Sequence, residues 1–153
     1  MQIQRVRAVA VLTNKEGKVL ILKRIPADTS IGHIPAIWEF PAGGVEFGES
    51  PEQAIEREVW EETKIKAKNK GLLTVVSHTF KTIGNSRKEN DCHEIAIAYH
   101  FETDETGDRV DISQKEHEHS EYKWIDFSEL ENIPQLSFTL LRLIPALKKK
   151  FRF

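Results

Sequence analysis

Cysteine is nearly missing from this chain. Cys92 stands alone among 153 residues, so no internal disulfide can form. That fits a reducing compartment, and a cytoplasmic location is the expectation. Long apolar runs are missing too. Nothing approaches the ~18 residues that a membrane-spanning helix requires, so no membrane partner is expected. The chain does not open on a basic patch followed by an apolar stretch, so no signal peptide is expected. Charge of one sign is also lacking: 22 basic against 24 acidic residues leave a net charge of −2. That balance gives no electrostatic footprint for a nucleic-acid polymer or an anionic membrane. Proline is absent between Pro51 and Pro134. No internal repeat or low-complexity segment occurs. A chain of this length reads as one domain, residues 1–153, and buries roughly 68–70% of its unfolded surface.

What the chain has in excess is local carboxylate. Glu49 precedes a predicted helix, and Glu58, Glu61 and Glu62 lie on it. At the helical repeat those three span about 100° of circumference, which is one face. Ser50 at the N-cap, Pro51 at N1 and Gln53 at N3 form a capping box, and Glu52 in the first turn suits the dipole. Ile55, Val59 and Thr63 make a mostly apolar strip beside the acidic face, fit to dock on a sheet. A merely solvated helix usually interleaves Glu with Lys. Here Arg57 is the only base between Glu49 and Lys64. Crowded carboxylates need a cation, and oxygen-only ligands suit Mg²⁺ shared with substrate phosphates, with Mn²⁺ as a possible substitute. The Pro41-Ala42-Gly43-Gly44 run before the helix points to a tight, unusual backbone path. Glycine also lets a carbonyl approach closely, so Gly43 is a candidate metal ligand. Arg57 points off the acidic arc and is expected to pair with Glu49.

Strand-like and helical stretches alternate along the chain. Arg5 to Leu12, Val19 to Leu22, Leu72 to Phe80, Glu94 to Phe101 and Glu121 to Ile125 read as strands. Ile25 to Pro35 reads as a loop, Ile83 to Asp91 as a polar turn, and Glu102 to Ser120 as a long polar loop. Phe127 to Asn132 suggests a short helix. Gln135 to Lys150 suggests a longer one, kinked or broken at Pro145. The basic end, Lys148 to Lys150, suits a solvated helix terminus. Such alternation predicts a mixed sheet covered on both faces.

The segment GGVEFGESPEQAIEREVWEETKI resembles the signature of the Nudix hydrolase family. The family pattern is met by Gly43, Glu49, Arg57, Glu58, Val59, Glu61, Glu62 and Ile65. One position departs: Lys64 replaces a glycine that usually ends the helix, which bears on the exit turn rather than on the acidic residues. The resemblance covers 23 of 153 residues. It implies an α/β class protein, an α/β/α sandwich around a mixed sheet, and a pyrophosphohydrolase. Its partner is then a small-molecule nucleotide, with a monomer and a homodimer both open. Glu58, Glu61, Glu62 and the Gly43 carbonyl become the expected metal ligands. Glu58 doubles as the expected base, in a family whose members differ on which glutamate serves. Several family members also carry a glutamate before the last strand that completes the metal site or acts as base. Glu118 is the candidate here, with Glu116 and Glu121 behind it.

Other residues are weighed individually. Arg24 is a phosphate-contact candidate, against the equal reading of a surface arginine. Trp38 is a base-stacking candidate, with packing ranked first for it and for Trp124. Trp60 is expected to be partly exposed. His117 and His119 alternate, which makes a shared zinc conceivable, but an exposed polar loop is the preferred reading. His78, His93 and His100 are assigned to packing or surface. Trp38-Glu39-Phe40-Pro41 looks like the MutT-type subgroup, which cleaves nucleoside triphosphates to monophosphate and pyrophosphate. The proline marker of ADP-ribose cleaving members is absent, with Phe80 in its place. The tyrosine marker of diadenosine polyphosphate members is absent as well. ADP-ribose or another nucleotide sugar is the alternative substrate, and a non-catalytic nucleotide-binding module is the alternative class.

Overall fold

The computed structural model describes residues 1–104, 109–115 and 117–153. Strand β1 (Gln2–Thr13) is its axis. The inner half of β1 is apolar on both faces, as a strand covered on both sides must be. Ala8, Ala10 and Leu12 pack with Ile55 and Val59 in one core, while Val9 and Val11 pack with Leu140 and Leu143 in the other. Leu20 and Leu22 of β2 (Val19–Arg24) join the first core, and Val19 and Ile21 the second. Two helices therefore sandwich the sheet: α1 (Pro51–Thr63) on one face and α2 (Phe138–Phe151) on the other. This is the expected α/β/α sandwich.

The sheet is mixed. Between β1 and α1 lie β2, β3 (Ala27–Thr29), β4 (Gly32–Ile34), β5 (Trp38–Glu39) and β6 (Ala42–Gly44), followed after α1 by β7 (Lys68–Ile83), β8 (Glu89–Glu102) and β9 (His119–Ile125). The main path runs β5-β2-β1-β8-β7, with β6 paired to β1 and β9 to β2. β1 and β8 run parallel, and the other pairings in this sheet are antiparallel. The segment read as a loop, 25–35, instead contains the β3–β4 hairpin. In the polar stretch at 83–91 the turn falls at residues 84–88, and β7 and β8 meet it at Ile83 and Glu89. β7 is an edge strand and mostly exposed, so its sequence carries little alternation.

α1 has both hydrogen bonds of its capping box, and Ile55, Val59 and Thr63 are buried as the strip predicted. Its exit uses the left-handed conformation that glycine would take: Lys64 has φ 56° and donates its N–H to the Trp60 carbonyl at 2.9 Å. Pro145 neither breaks nor ends α2, which runs through it to Phe151. Pro145 and Leu141 both face solvent, so water can meet the carbonyl that loses its partner. Phe127–Asn132 is a 3₁₀ turn. No helix among the described residues is long and apolar enough to cross a membrane.

Candidate metal centre

The acidic face of α1 is turned toward β6. Glu58 and Glu62 are buried, and Glu61 is about a quarter exposed along its side chain. β6 lies so close that a Cβ on Gly43 would stand 2.2 Å from the Glu58 carboxyl carbon and 2.3 Å from Oε1. The glycine at 43 is therefore required by contact. The expected unusual backbone path does not occur: neither Gly43 nor Gly44 takes a positive φ, and both belong to strand β6. Next to them, the Ala42 N–H donates to Glu62 Oε2 at 3.3 Å.

Arg57 takes up the predicted contact. Its Nη2 donates to Glu49 Oε1 at 2.8 Å, and Glu49 in turn accepts the Glu46 N–H at 2.9 Å, which closes the loop ahead of the helix. Contrary to the expectation that it leaves the acidic arc, Arg57 Nη1 also donates to Glu58 Oε1 at 2.8 Å and lies 3.5 Å from Glu61 Oε2. The hydrogen bond to Glu49 holds the guanidinium above its ordinary pKa, against the effect of burial.

A second segment, distant in sequence, reaches the site on the α1 side of the sheet. Ser113–Lys115 forms one 3₁₀ turn, and Lys115 Nζ lies 2.7 Å from Glu58 Oε2, 3.2 Å from Glu61 Oε2 and 4.0 Å from Glu118 Oε2. Glu118, half exposed, stands where the family's late glutamate was expected, one residue before β9. Glu121 faces elsewhere, 3.9 Å from Lys23, and Glu116 lies outside the described residues. The two histidines do not share an environment. His117 is exposed, whereas His119 is buried and joined to Glu39 Oε1 at 2.9 Å, so the polar-loop reading fails for His119.

The electrostatics divide two buried carboxylates. Burial alone would raise Glu39, but the hydrogen bond from His119 and the charges of Arg24 and Arg7 bring it down to about 2. Burial pushes Glu62 well up, and the nearby charges of Glu39 and Glu58 push it further. Glu62 has no ion-pair partner among the described residues. The His119 Nδ1 atom is buried without a hydrogen-bond partner among the described residues. Glu62, Glu118 and His119 each bring a ligand atom to within 4.8 Å of the others. With Glu58 and Glu61 on the same helix face as Glu62, the carboxylates gathered here are crowded and oxygen-rich, which fits a hard divalent cation.

A cavity of about 250 Å³ adjoins the centre through Glu39, which lines it together with Arg7 and Arg24. Arg24 is mostly buried with Nε 3.4 Å from Glu39 Oε1, so it is a cavity-wall group rather than a surface arginine. The cavity floor carries Glu94, buried against Arg5 at 3.0 Å, Arg7 at 3.5 Å and His78 at 3.4 Å, with Phe80 and Phe138 beside it. Trp38 does not present a free face for stacking. It is 5% exposed in the α2-side core, and Lys23 and Lys123 lie 5.8 and 5.0 Å from its ring centre. Packing, ranked first for it, is where the structure puts it. Trp124 is half-buried against the other core, and Trp60 is partly exposed. His78 and His100 are buried by packing, and His93 pairs with Gln4 on the surface.

Sequence reasoning missed Lys115, Glu39, Glu94 and the buried state of His119. Their signals were present but unreadable in isolation: a lysine opening the acidic run 115–121, and glutamates within apolar strands.

The family profile described as the NUDIX domain matches residues 3–147. An RNA pyrophosphohydrolase of Psychrobacter cryohalolentis is 42% identical over 65 residues, 42% of this chain and 33% of that protein. The chain thus spans about a third of the length of that curated relative. An RNA pyrophosphohydrolase of Bartonella bacilliformis is 28% identical over 134 residues, 80% of this chain and 78% of the relative. An 8-oxo-dGTP diphosphatase of Proteus vulgaris is 40% identical over 73 residues, 48% of this chain and 62% of the relative. Among solved structures, the MutT protein of Methanosarcina mazei Go1 aligns with a TM-score of 0.70 at 22% identity, covering 99% of this chain and 95% of that one. The NUDIX domain of Shewanella oneidensis NrtR, solved with ADP ribose, aligns at 0.62 and 19% identity over 99% of this chain and 90% of its own. At these identities the structural likeness speaks for the fold alone.

Proposed function

The chain belongs to the NUDIX domain family, and on that premise we propose that it is a Mg²⁺-dependent pyrophosphohydrolase that cleaves a (deoxy)nucleoside triphosphate to monophosphate and pyrophosphate. The observation that carries this reading is Glu62, buried without an ion-pair partner among the described residues and grouped with Glu118 and His119 from the far end of the chain. Glu58, Glu61, Glu62 and the Gly43 carbonyl would hold the cation. When bound, that ion would neutralise phosphate charge and acidify a water molecule.

The chain's own groups supply the rest. Glu118 takes the proton in this reading, in preference to Glu58. Glu58 accepts hydrogen bonds from two cations, Arg57 at 2.8 Å and Lys115 at 2.7 Å, so both of its oxygens are already engaged. Glu118 is half exposed, and its one ion pair among the described residues is the long 4.0 Å approach of Lys115, so it can meet water. Arg57 fixes Glu49 and Glu58 relative to each other and thereby holds the loop. Arg24, on the cavity wall, offers a guanidinium to a phosphate. The cavity beside Glu39 would take the nucleoside, with the Phe80 and Phe138 rings as apolar surface.

The substrate class draws support from the Proteus vulgaris relative, named for 8-oxo-dGTP. The test is product analysis on a panel of nucleoside triphosphates, ADP-ribose and 5′-triphosphorylated RNA, with and without Mg²⁺. Release of pyrophosphate from a nucleoside triphosphate, only with the metal, is expected. Turnover confined to ADP-ribose or to RNA ends would overturn the substrate. Binding without turnover of any compound would make the domain a recognition module.

A further inference from the structure

Lys115 occupies an unusual position. Its ammonium is the meeting point of three carboxylates from two separate parts of the chain: Glu58 at 2.7 Å and Glu61 at 3.2 Å from α1, and Glu118 at 4.0 Å from its own segment. The approach is built rather than loose. The Asp111 N–H donates to the Thr63 carbonyl at 2.9 Å, the Ser113 N–H to Asp111 Oδ1 at 2.9 Å, and the Glu118 N–H to the Lys115 carbonyl at 2.8 Å. The side chain is only 22% exposed.

A solvated lysine pair on a helix surface is worth little. Here one ammonium holds together carboxylates that would otherwise repel. Two of them, Glu58 and Glu61, are assigned above to the divalent ion. An ammonium and a divalent ion cannot share the same oxygens without strong repulsion at a few ångström.

We propose that Lys115 is the resident counter-ion of this centre, and that an incoming divalent cation displaces it from Glu58 and Glu61. The metal-free domain is then held together by its own side chain. Metal uptake becomes an exchange of one cation for another, with Lys115 as a residue that sets the affinity. This rests on the metal assignment above.

The test uses the whole chain and two measurements, neither of them activity. Calorimetric titration compares Mn²⁺ and Mg²⁺ binding to the wild type and to Lys115→Met. The variant should bind about tenfold tighter, because the metal no longer evicts a half-buried opposing charge. Its melting temperature should fall below wild type without metal and match it at saturation. Unchanged or weaker metal binding by the variant would overturn the proposal. Should the variant not fold, amine labelling of the wild type with mass-spectrometric readout decides. Lys115 should be protected without metal and reactive with saturating Mg²⁺, and equal protection in both states would overturn the exchange. A wild type that binds no metal sinks both this proposal and the metal assignment. Binding that leaves Lys115 indifferent sinks only this one.

Discussion

Replacing Gly43 with alanine is the most direct probe of how the proposed metal centre is assembled. The added methyl would lie 2.2 Å from the Glu58 carboxyl carbon, 2.3 Å from Oε1 and 2.4 Å from Cγ. Carbon atoms in contact sit ~3.5 Å apart, so the carboxyl group must retreat by roughly 1.3 Å or the β6 backbone must move. Retreat is not free. Glu58 is buried and held from two sides, by Arg57 at 2.8 Å and Lys115 at 2.7 Å. Overpacking of this kind typically costs ~1–3 kcal/mol, which for a domain of this size lowers Tm by roughly 2–4 °C per kcal/mol. The effect on the metal should be larger in proportion. Ligand positions tolerate only about 0.2 Å, so a loss of affinity on the order of a hundredfold is expected. Gly44→Ala is the matched control: its methyl would meet nothing within 4 Å, and its φ is not positive. Calorimetric titration with Mg²⁺ and thermal melts of both variants check this. If Gly43→Ala binds metal as tightly as Gly44→Ala, the close approach of β6 to α1 is not what positions Glu58, and the reasoning fails.

Three further outcomes follow from other parts of the molecule. Glu62→Gln should keep the fold, because an amide oxygen can still accept the Ala42 N–H. Metal binding should be lost, and turnover should fall at least about a hundredfold; a fully active variant refutes the site. Lys64→Gly should raise stability by ~0.5–1 kcal/mol, since a non-glycine at φ 56° is strained by ~1–2 kcal/mol, offset in part by the lost contact of Lys64 with the Trp60 ring at 4.9 Å; an unchanged denaturant midpoint would contradict this. Glu94 carries a pH prediction. Burial would raise its pKa, but Arg7 and Arg5 outweigh that and hold it below 4.5. A depressed folded pKa gives stability that is present above the unfolded value and lost as pH falls through the folded one. Glu94→Gln should therefore lose ~3 kcal/mol at pH 7, where it strands Arg5 and Arg7, and lose less on acidification below pH 4.5 than the wild type. Urea midpoints at pH 7 and below 4.5 measure both, and parallel pH curves for the two proteins would be the contrary result.

Much of this site was legible from residue order because its central part is local. Ser50, Pro51 and Gln53 start a helix by contacts within four residues, and the helical repeat then puts Glu58, Glu61 and Glu62 on one face wherever that helix is placed. The same locality explains the pairing of Arg57 with Glu49. Errors arose where a distant element changed the outcome. The segment 25–35 looked like a loop because its strands are three residues long, too short for alternation to show. Pro145 looked like a helix breaker because its solvent-facing position could not be known in advance.

Residue order by itself thus determined the domain class, the capped helix and the acidic character of its face, since each depends on neighbours a turn or two away. Tertiary structure alone decided which distant groups meet that face. The meeting of Lys115 with Glu58 across 57 residues and of His119 with Glu39 across 80 follows from the register of β9 on β2 and from the docking of the 111–115 segment on α1. It decided Gly43 as well, because the need for a missing side chain exists only where strand and helix come within contact of each other.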